Sequence, residues 1–282
     1  MEITTFIACL IGLGLDLWLG DPRKMPHLVK LAGHCINRLE QFWLQRLGRS
    51  ILSGALIWIS LNASLLGAYL ILHYSLAYLH PWLSIPLDAI VVFQSIAFTD
   101  LIKHVRAIAE ALPQGIQAAR ERVSWIVGRD TSRMDSAAVC RAAIESGSEN
   151  YNDSAIAPLF WLLIFGPAGA LFFRLCNTLD AMIGHRCTRF EKIGKFSARA
   201  DDVLNLIPAR LCSLIIHSSF NLRAWWQLRA DASLHPSWNA GWPEAAMAQR
   251  LGVVLGGEMY LNGQLLHTAT MNSAARQPTV DD

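Results

Sequence analysis

From Ser50 to Leu87 the chain carries no Asp, Glu, Lys or Arg, and no other feature constrains its fold as much. A helix rises about 1.5 Å per residue, so roughly 20 residues cross a hydrocarbon core of about 30 Å. The run is long enough for two crossings. His80-Pro81 and Pro86 supply the break, because proline lacks the N–H that a helix interior needs. Spans over 51–72 and 82–99 are therefore predicted. Asp88 then falls inside the second, where an ionised carboxylate is costly. Composition agrees: 53% of residues are hydrophobic and 16% charged, against about 25% charged in soluble domains. The net charge of +2 gives no basic field suited to nucleic acid. The six cysteines form no CxxC pair, so neither a zinc ribbon nor a disulfide framework is indicated.

Charge placement orients the spans. The connection around His73 to Pro81 lacks Lys and Arg. Arg23, Lys24, Lys30, Arg38, Arg46 and Arg49 precede the run, and Lys103, Arg106, Arg120, Arg122, Arg129, Arg133 and Arg141 follow it. The positive-inside rule puts 21–50 and 100–153 in the cytoplasm. The start, MEITTFIACLIGLGLDLWLGDP, reads as a retained membrane segment or a buried core helix, since it lacks the basic n-region and small-x-small cleavage site of a signal peptide. Ser154–Phe173 is a further charge-free run, followed by Arg186, Arg189, Lys192, Lys195 and Arg199. Gly166-Pro167-Ala168-Gly169 in its middle suits either a single span or two half-helices that enter and leave on one side. The fold expected is all-α: a polytopic integral membrane protein with about four to five embedded helical segments and cytoplasmic helical loops. Its parts are a membrane-embedded catalytic domain over 1–222, a lobe over 223–266 packed on it, and a disordered tail over 267–282.

Polar residues gather where the apolar segments end. Asp21 and His27 lie in LGDPRKMPH, a turn signal that can equally be a plain helix stop. In VGRDTSRMD, Gly128 can free backbone N–H groups and Arg129 can fork onto phosphate or carboxylate. Asp130 and Thr131 beside them suit substrate binding or a helix cap. Glu145, Glu149 and Asp153 recur every four residues, so one helical face carries three like charges just before an apolar run. A magnesium or substrate-amine site is the sharper reading, a solvated acidic face the plainer one. Asn150 sits beside them. Arg174, Asn177, Thr178 and Asp180 follow the next apolar run, and Arg199, Asp201, Asp202, Asn205 and Arg210 surround the one after. Ionisable groups at membrane depth are costly, so they usually serve function or pair internally. Glu149, Asp153, Asp201 and Asp202 are the candidate metal ligands. Of the adjacent Asp201 and Asp202, about 100° apart on a helix, one is expected to contact magnesium and the other to pair with Arg199 or Arg210. Glu145, Glu149, Asp153, Asp180 and Asp202 are the candidate catalytic groups.

These strings resemble the CobD/CbiB family, adenosylcobinamide-phosphate synthase of cobalamin biosynthesis. The matching segments are DLWLGDPRKMPH, VGRDTSRMD, AAIESGSENYNDSAIAPLF, FRLCNTLDAMIGH, FSARADDVLNLIPARL and HPSWNAGWPEAAMAQRLGVVLGG, in order along nearly the whole chain. Trp238 stands where proline is expected before Asn239-Ala240-Gly241. The resemblance implies an ATP-dependent ligase that joins aminopropanol or its phosphate to the free propionate of adenosylcobyric acid. It implies ATP and Mg2+, a corrinoid and a small amino alcohol as substrates, and Asn239 as a binding residue. It further implies a bacterial inner-membrane location with the active site facing the cytoplasm, and leaves open a homo-oligomer or a complex with other cobalamin-assembly enzymes. Two competing readings are another magnesium-dependent, aspartate-rich membrane transferase acting on a prenyl or phospho-alcohol group, and a transporter or scaffold. Against the first, DDVLN ends in Asn; against the second, the polar clusters sit at segment mouths rather than along a path through the spans.

Overall fold

A computed structural model describes residues 2–21, 26–184, 189–218, 221–261 and 263–282. Arg23, Lys24, Arg186 and Cys187, used in the sequence argument, lie outside them. Among the described residues the chain is helical except for one hairpin near the end: α1 (Ile3–Leu19), α2 (Leu28–Leu47), α3 (Ile51–Leu79), α4 (Ser84–Ser95), α5 (Phe98–Ala111), α6 (Ile116–Val123), α7 (Ser136–Tyr151), α8 (Ala157–Ile183), α9 (Gly194–His217), α10 (Leu222–Ala232), α11 (Gly241–Leu251), then strands β1 (Glu258–Leu261) and β2 (Gln264–His267). Ile51–Leu79, Pro81–Gln114 and Ser136–Ile183 are each long and apolar enough to cross a membrane, and α1 is a shorter apolar helix. The expectation of an all-α membrane protein holds, with a count near the four to five segments expected. The apolarity of the third stretch resides in its charge-free part, 154–173.

The helix ends follow local chemistry. Ser50 caps α3 by accepting from the Ser53 N–H at 3.1 Å. α3 runs on to Leu79, longer than the span predicted, and the His80-Pro81 break holds: a 3-10 turn covers Pro81–Leu83. Pro86 breaks nothing, because it lies in the first turn of α4, where its missing N–H has no partner to lose. Asp135, rather than Asp130 or Thr131, caps α7, accepting from the Ala138 N–H at 2.8 Å. The carbonyl of Thr131 instead closes a turn to the Met134 N–H.

Two compact units make up the chain, Met1–Thr99 with Ala157–Asn205, and Asp100–Ile156 with Leu206–Asp282. This division interleaves in sequence and differs from the linear one drawn at residue 222. In the first unit, Ile36, Ile57, Leu61, Leu171, Leu175, Leu179 and Ile183 form a closed apolar core. Buried Asp88 is satisfied there: it accepts from the Tyr69 hydroxyl at 2.8 Å and lies 2.8 Å from His73 Nδ1. Buried Asp16 accepts from the Thr99 backbone and hydroxyl, and buried Glu40 pairs with Arg189. α8 is not straight. Gly166 adopts φ 65° and ψ −159°, a conformation open to glycine, and Pro167 follows it. A Cβ on Gly169 would stand 2.2 Å from the Trp161 carbonyl oxygen, whereas residues eight apart on a straight helix are separated by about 12 Å. The two halves of α8 therefore bend back on one another, the backbone geometry that a hairpin of half-helices requires.

The second unit has two cores. Ile108, Ala119, Val123 and Val139 join α5, α6 and α7. Cys212, Leu228, Ala245, Val253, Leu255 and Met271 join α9, α10, α11 and the segments after them. The β1–β2 hairpin, absent from the sequence reading, pairs antiparallel with Leu261 opposite Gln264. The terminal stretch, read as a disordered tail, is held in place: Leu255 and Met271 exchange both backbone hydrogen bonds, and Arg276 pairs with Asp282. That guanidinium holds the Asp282 carboxyl at about 2.

Candidate functional site

In the first unit the polar residues at the end of α8 meet the start of α9. Asp201 accepts from Asn205 Nδ2 at 2.9 Å and from Asn177 Nδ2 at 3.4 Å, so it ties the two helices together. Arg174 is turned to the end of α4, where its Nε and Nη2 both donate to the Ser95 carbonyl; a cation suits a helix C-terminus. Thr178 donates back to the Arg174 carbonyl at 2.7 Å. Asp180 lies one turn before Gly184, whose N–H it receives on its backbone carbonyl. Asp202 pairs with Arg199 at 3.5 Å, on the same helix and half in solvent. A cavity of about 300 Å³ opens beside this pair, Lys195 and Glu191. Asp21 lies exposed, 3.7 Å from His27 Nε2, while His27 Nδ1 accepts the Val29 N–H and so starts α2.

The division between Asp201 and Asp202 makes a prediction. Asp202→Ala is expected to change stability by no more than about 0.5 kcal/mol, because an exposed i,i+3 pair is worth little. Asp201→Ala is expected to cost about 1.5–3 kcal/mol, the range for hydrogen bonds to a charged group. Thermal unfolding of both variants in detergent checks this, and equal losses contradict it. Of the two partners expected for the paired aspartate, Arg199 or Arg210, Arg199 takes the place. In the second unit Arg210 donates to Asn239 Oδ1 at 2.6 Å and to the Trp238 carbonyl at 3.0 Å, with its guanidinium over the Trp242 ring.

The second unit gathers the other candidates around α7. Arg129 pairs with Glu145, which is buried. The second oxygen of Glu145 accepts the Gly256 N–H at 2.6 Å. Asp130 accepts the Gly263 N–H at 2.7 Å and donates its own N–H to the Tyr260 carbonyl, so it holds the hairpin, and it also lines a cavity of about 160 Å³ with Arg129, Arg133 and Arg141. Asn150 donates to the Ser146 carbonyl one turn back. Glu145 and Glu149 line one cavity of about 290 Å³ with Gly128 and Arg129. Asp153 is not among its lining residues. It lies in a π turn, Asn152–Ile156, where it accepts from Asn152 Nδ2. The wider turn breaks the four-residue spacing that a regular helix would have kept on one face. Thr131 is half-buried beside the hairpin-bound Asp130.

The same cavity is closed by residues that the sequence reading did not single out: His235, Glu244 and Gly256. All three lie in the C-terminal motif HPSWNAGWPEAAMAQRLGVVLGG, so the signal was in that string, although no charge pattern marked it. Burial and the neighbouring Glu145 and Glu149 push the Glu244 carboxyl well above the ordinary carboxylate range. Burial also lowers His235, leaving it neutral near pH 7. Among the described residues, no three His, Cys, Asp or Glu side chains converge as a metal-binding group. Magnesium commonly needs few protein ligands when substrate phosphates supply the rest.

Known proteins resemble this chain over nearly its whole length. The CobD/Cbib protein family model matches residues 9–282. A cobalamin biosynthesis protein CobD from Rhodobacter capsulatus is 37% identical, covering 96% of this chain and 88% of its own length. Proteins of the same name from Brucella anthropi (37% identical, covering 100% and 91%) and Klebsiella pneumoniae (35%, covering 99% and 90%) match similarly. No solved structure matches. The chain belongs to the CobD/CbiB family of cobalamin biosynthesis proteins.

Proposed function

We propose that this protein is an acid–amine ligase of cobalamin biosynthesis. It joins aminopropanol, or its phosphate, to the free propionate of adenosylcobyric acid, with ATP and Mg2+ as the resemblance implies. The observation that carries the reading is a convergence. VGRD, AAIESGSEN, HPSWNAGWPE and VLGG are spread over nearly half the chain, yet they furnish Arg129, Glu145, Glu149, His235, Glu244 and Gly256 to one cavity. Amide formation needs an uncharged amine nitrogen held against an activated carboxyl, and acidic groups at a cavity wall can take and hold the amine's proton. ATP would supply the activation that a carboxylate lacks. The chain's own contribution is to orient the amine and exclude water. In this reading the reaction runs at the cytoplasmic face of an inner membrane.

Inverted membrane vesicles carrying the protein, given adenosylcobyric acid, aminopropanol or its phosphate, ATP and Mg2+, are expected to form adenosylcobinamide or its phosphate, detected by mass. Right-side-out vesicles should not. Glu149→Gln is expected to lower turnover by about 10²-fold or more while leaving membrane insertion intact. Full activity in that variant removes Glu149 from the reaction. Absence of amide product, with transfer from a labelled prenyl diphosphate instead, replaces the ligase reading by the transferase one.

A further inference from the structure

α10 packs on the second unit by Leu228 and Ala232, which are buried against Cys212 and Ile216 of α9. Its other side is open. Asn221 starts the helix by accepting the Arg223 N–H at 2.9 Å. At about 100° per residue, Leu222, Arg223, Trp226 and Arg229 fall within one face about 120° wide, opposite Leu228 and Ala232. All four are exposed, Leu222 by 75% and Trp226 by 60%. The Arg229 guanidinium lies 5.3 Å over the Trp226 ring. The one acid of α10, Asp231, is half-buried on another side, where it accepts from Gln249 Nε2 and from the Asn272 N–H. The open face therefore carries two cations and no carboxylate. The part of α9 that precedes it in the same unit carries an apolar stripe, since Ile207, Leu211 and Ile215 recur every four residues and are all exposed.

Exposed apolar side chains grouped in this way mark an interaction surface. Leucine and tryptophan beside arginine on one face is the composition of a helix that lies in a membrane interface. Lipid is favoured over a protein partner on two grounds. The face has the charge that complements anionic headgroups. The unit is also tied to the bilayer along the chain: it begins at Asp100, inside the apolar stretch Pro81–Gln114, and its first part ends at Ile156, inside the stretch Ser136–Ile183. A tether that short makes docking on the bilayer a local event at high effective concentration. The positive-inside rule puts residues 100–153 of this unit in the cytoplasm, and the leaflet facing that side carries anionic lipid.

We infer that the open face of α10 docks on the surface of a bilayer rich in anionic phospholipid. Leu222 and Trp226 enter the headgroup layer, and Arg223 and Arg229 meet lipid phosphates while their stems lie along the apolar boundary. The second unit, and its cavity with it, is then held at the headgroups by a contact separate from the spanning helices.

The test places the full-length protein in nanodiscs of phosphatidylcholine, alone or with an equal share of phosphatidylglycerol. A nitroxide is attached at Leu222→Cys, Trp226→Cys or Gln227→Cys, the last lying about 100° round the helix from Trp226. Cys35 and Cys187 are changed to serine, and Cys9, Cys140, Cys176 and Cys212 are buried. In the anionic discs the labels at 222 and 226 should meet oxygen, which concentrates in lipid, more than a water-soluble nickel chelate. The label at 227 should show the reverse. The anionic lipid should favour the docked state by about tenfold or more, and Arg223→Gln with Arg229→Gln should abolish that difference. These positions are exposed, so the unfolding midpoints in detergent should not move. Should one labelled variant not fold, the other reports the same face. A preference for the chelate at 222 and 226 in both lipids overturns the inference. Oxygen contact that is equal in both lipids overturns it as well, because the arginines would then recognise nothing. Labels shielded from both reagents would mean a protein on this face, a second copy of the chain included, and would also overturn it. Amide formation has no part in the readout, so the outcome is independent of the reaction proposed for the cavity.

Discussion

Glu145→Ala is expected to destabilise the second unit by about 3–5 kcal/mol, the cost of removing one partner from a buried ion pair. Two groups lose their acceptor at once. Arg129 is left with a guanidinium that is 20% exposed, too little for water to replace the carboxylate fully. The Gly256 N–H, now received at 2.6 Å, is orphaned as well. Gly256 has no room to adjust: it holds φ +80°, and a Cβ there would stand 2.1 Å from the Ala269 carbonyl oxygen. Glu145→Gln should cost less, because its amide oxygen can still accept one of the two bonds. Arg129→Met added to Glu145→Ala should recover part of the loss, since the uncompensated cation is then gone. Thermal unfolding in detergent reads all three. An unchanged midpoint in Glu145→Ala would mean that the pair holds nothing, and the cavity wall would need another anchor.

Glu145 was named from a stripe of acids, and the stripe explains how far the sequence reading reached. Charge-free runs announce membrane-length helices because the penalty for charge in hydrocarbon leaves a mark in composition; the break at His80-Pro81 and the bend at Gly166 were visible for the same kind of reason. The helical period put Glu145 and Glu149 on one face, and the cavity lining agrees. It failed at Asp153, because a π turn depends on tertiary packing that periodicity does not encode. Asp130 looked open to a ligand and is tied to the hairpin, a partner more than a hundred residues away. The hairpin carries a local signal in Asn262-Gly263 between two short apolar stretches, but one such dipeptide weighs little in a chain whose other segments read as helices. Glu244 had none: a single glutamate in a helical stretch becomes distinctive when Glu145 and Glu149 are found around it, and that is a property of the fold.

Gly54 and Gly67 lie on the same helix, and alanine at each should act in opposite directions. Within a helix, glycine costs about 0.8–1.0 kcal/mol relative to alanine. At Gly67 nothing lies within 4 Å of an added Cβ, so Gly67→Ala should be neutral or stabilising by up to that amount. At Gly54 the Cβ would stand 1.9 Å from the Ile193 carbonyl oxygen and 2.8 Å from its carbonyl carbon. The obstacle is backbone and cannot rotate away. Overpacking of a core typically costs about 1–3 kcal/mol when side chains can give, so Gly54→Ala should exceed that range. Ile193 immediately precedes α9, and it is itself fully buried in the core that Ile57 and Leu61 share. Forcing it away from α3 displaces the start of the helix that carries Asp201 and Asp202, and the Asn177–Asp201 bond, already 3.4 Å long, should part first. The expected result is a Gly54→Ala protein that inserts but unfolds well below wild type in detergent, beside a Gly67→Ala protein that does not. Equal midpoints for the two variants would show that α3 and Ile193 are not in contact, and the close approach that seats α9 in the first unit would have to be abandoned.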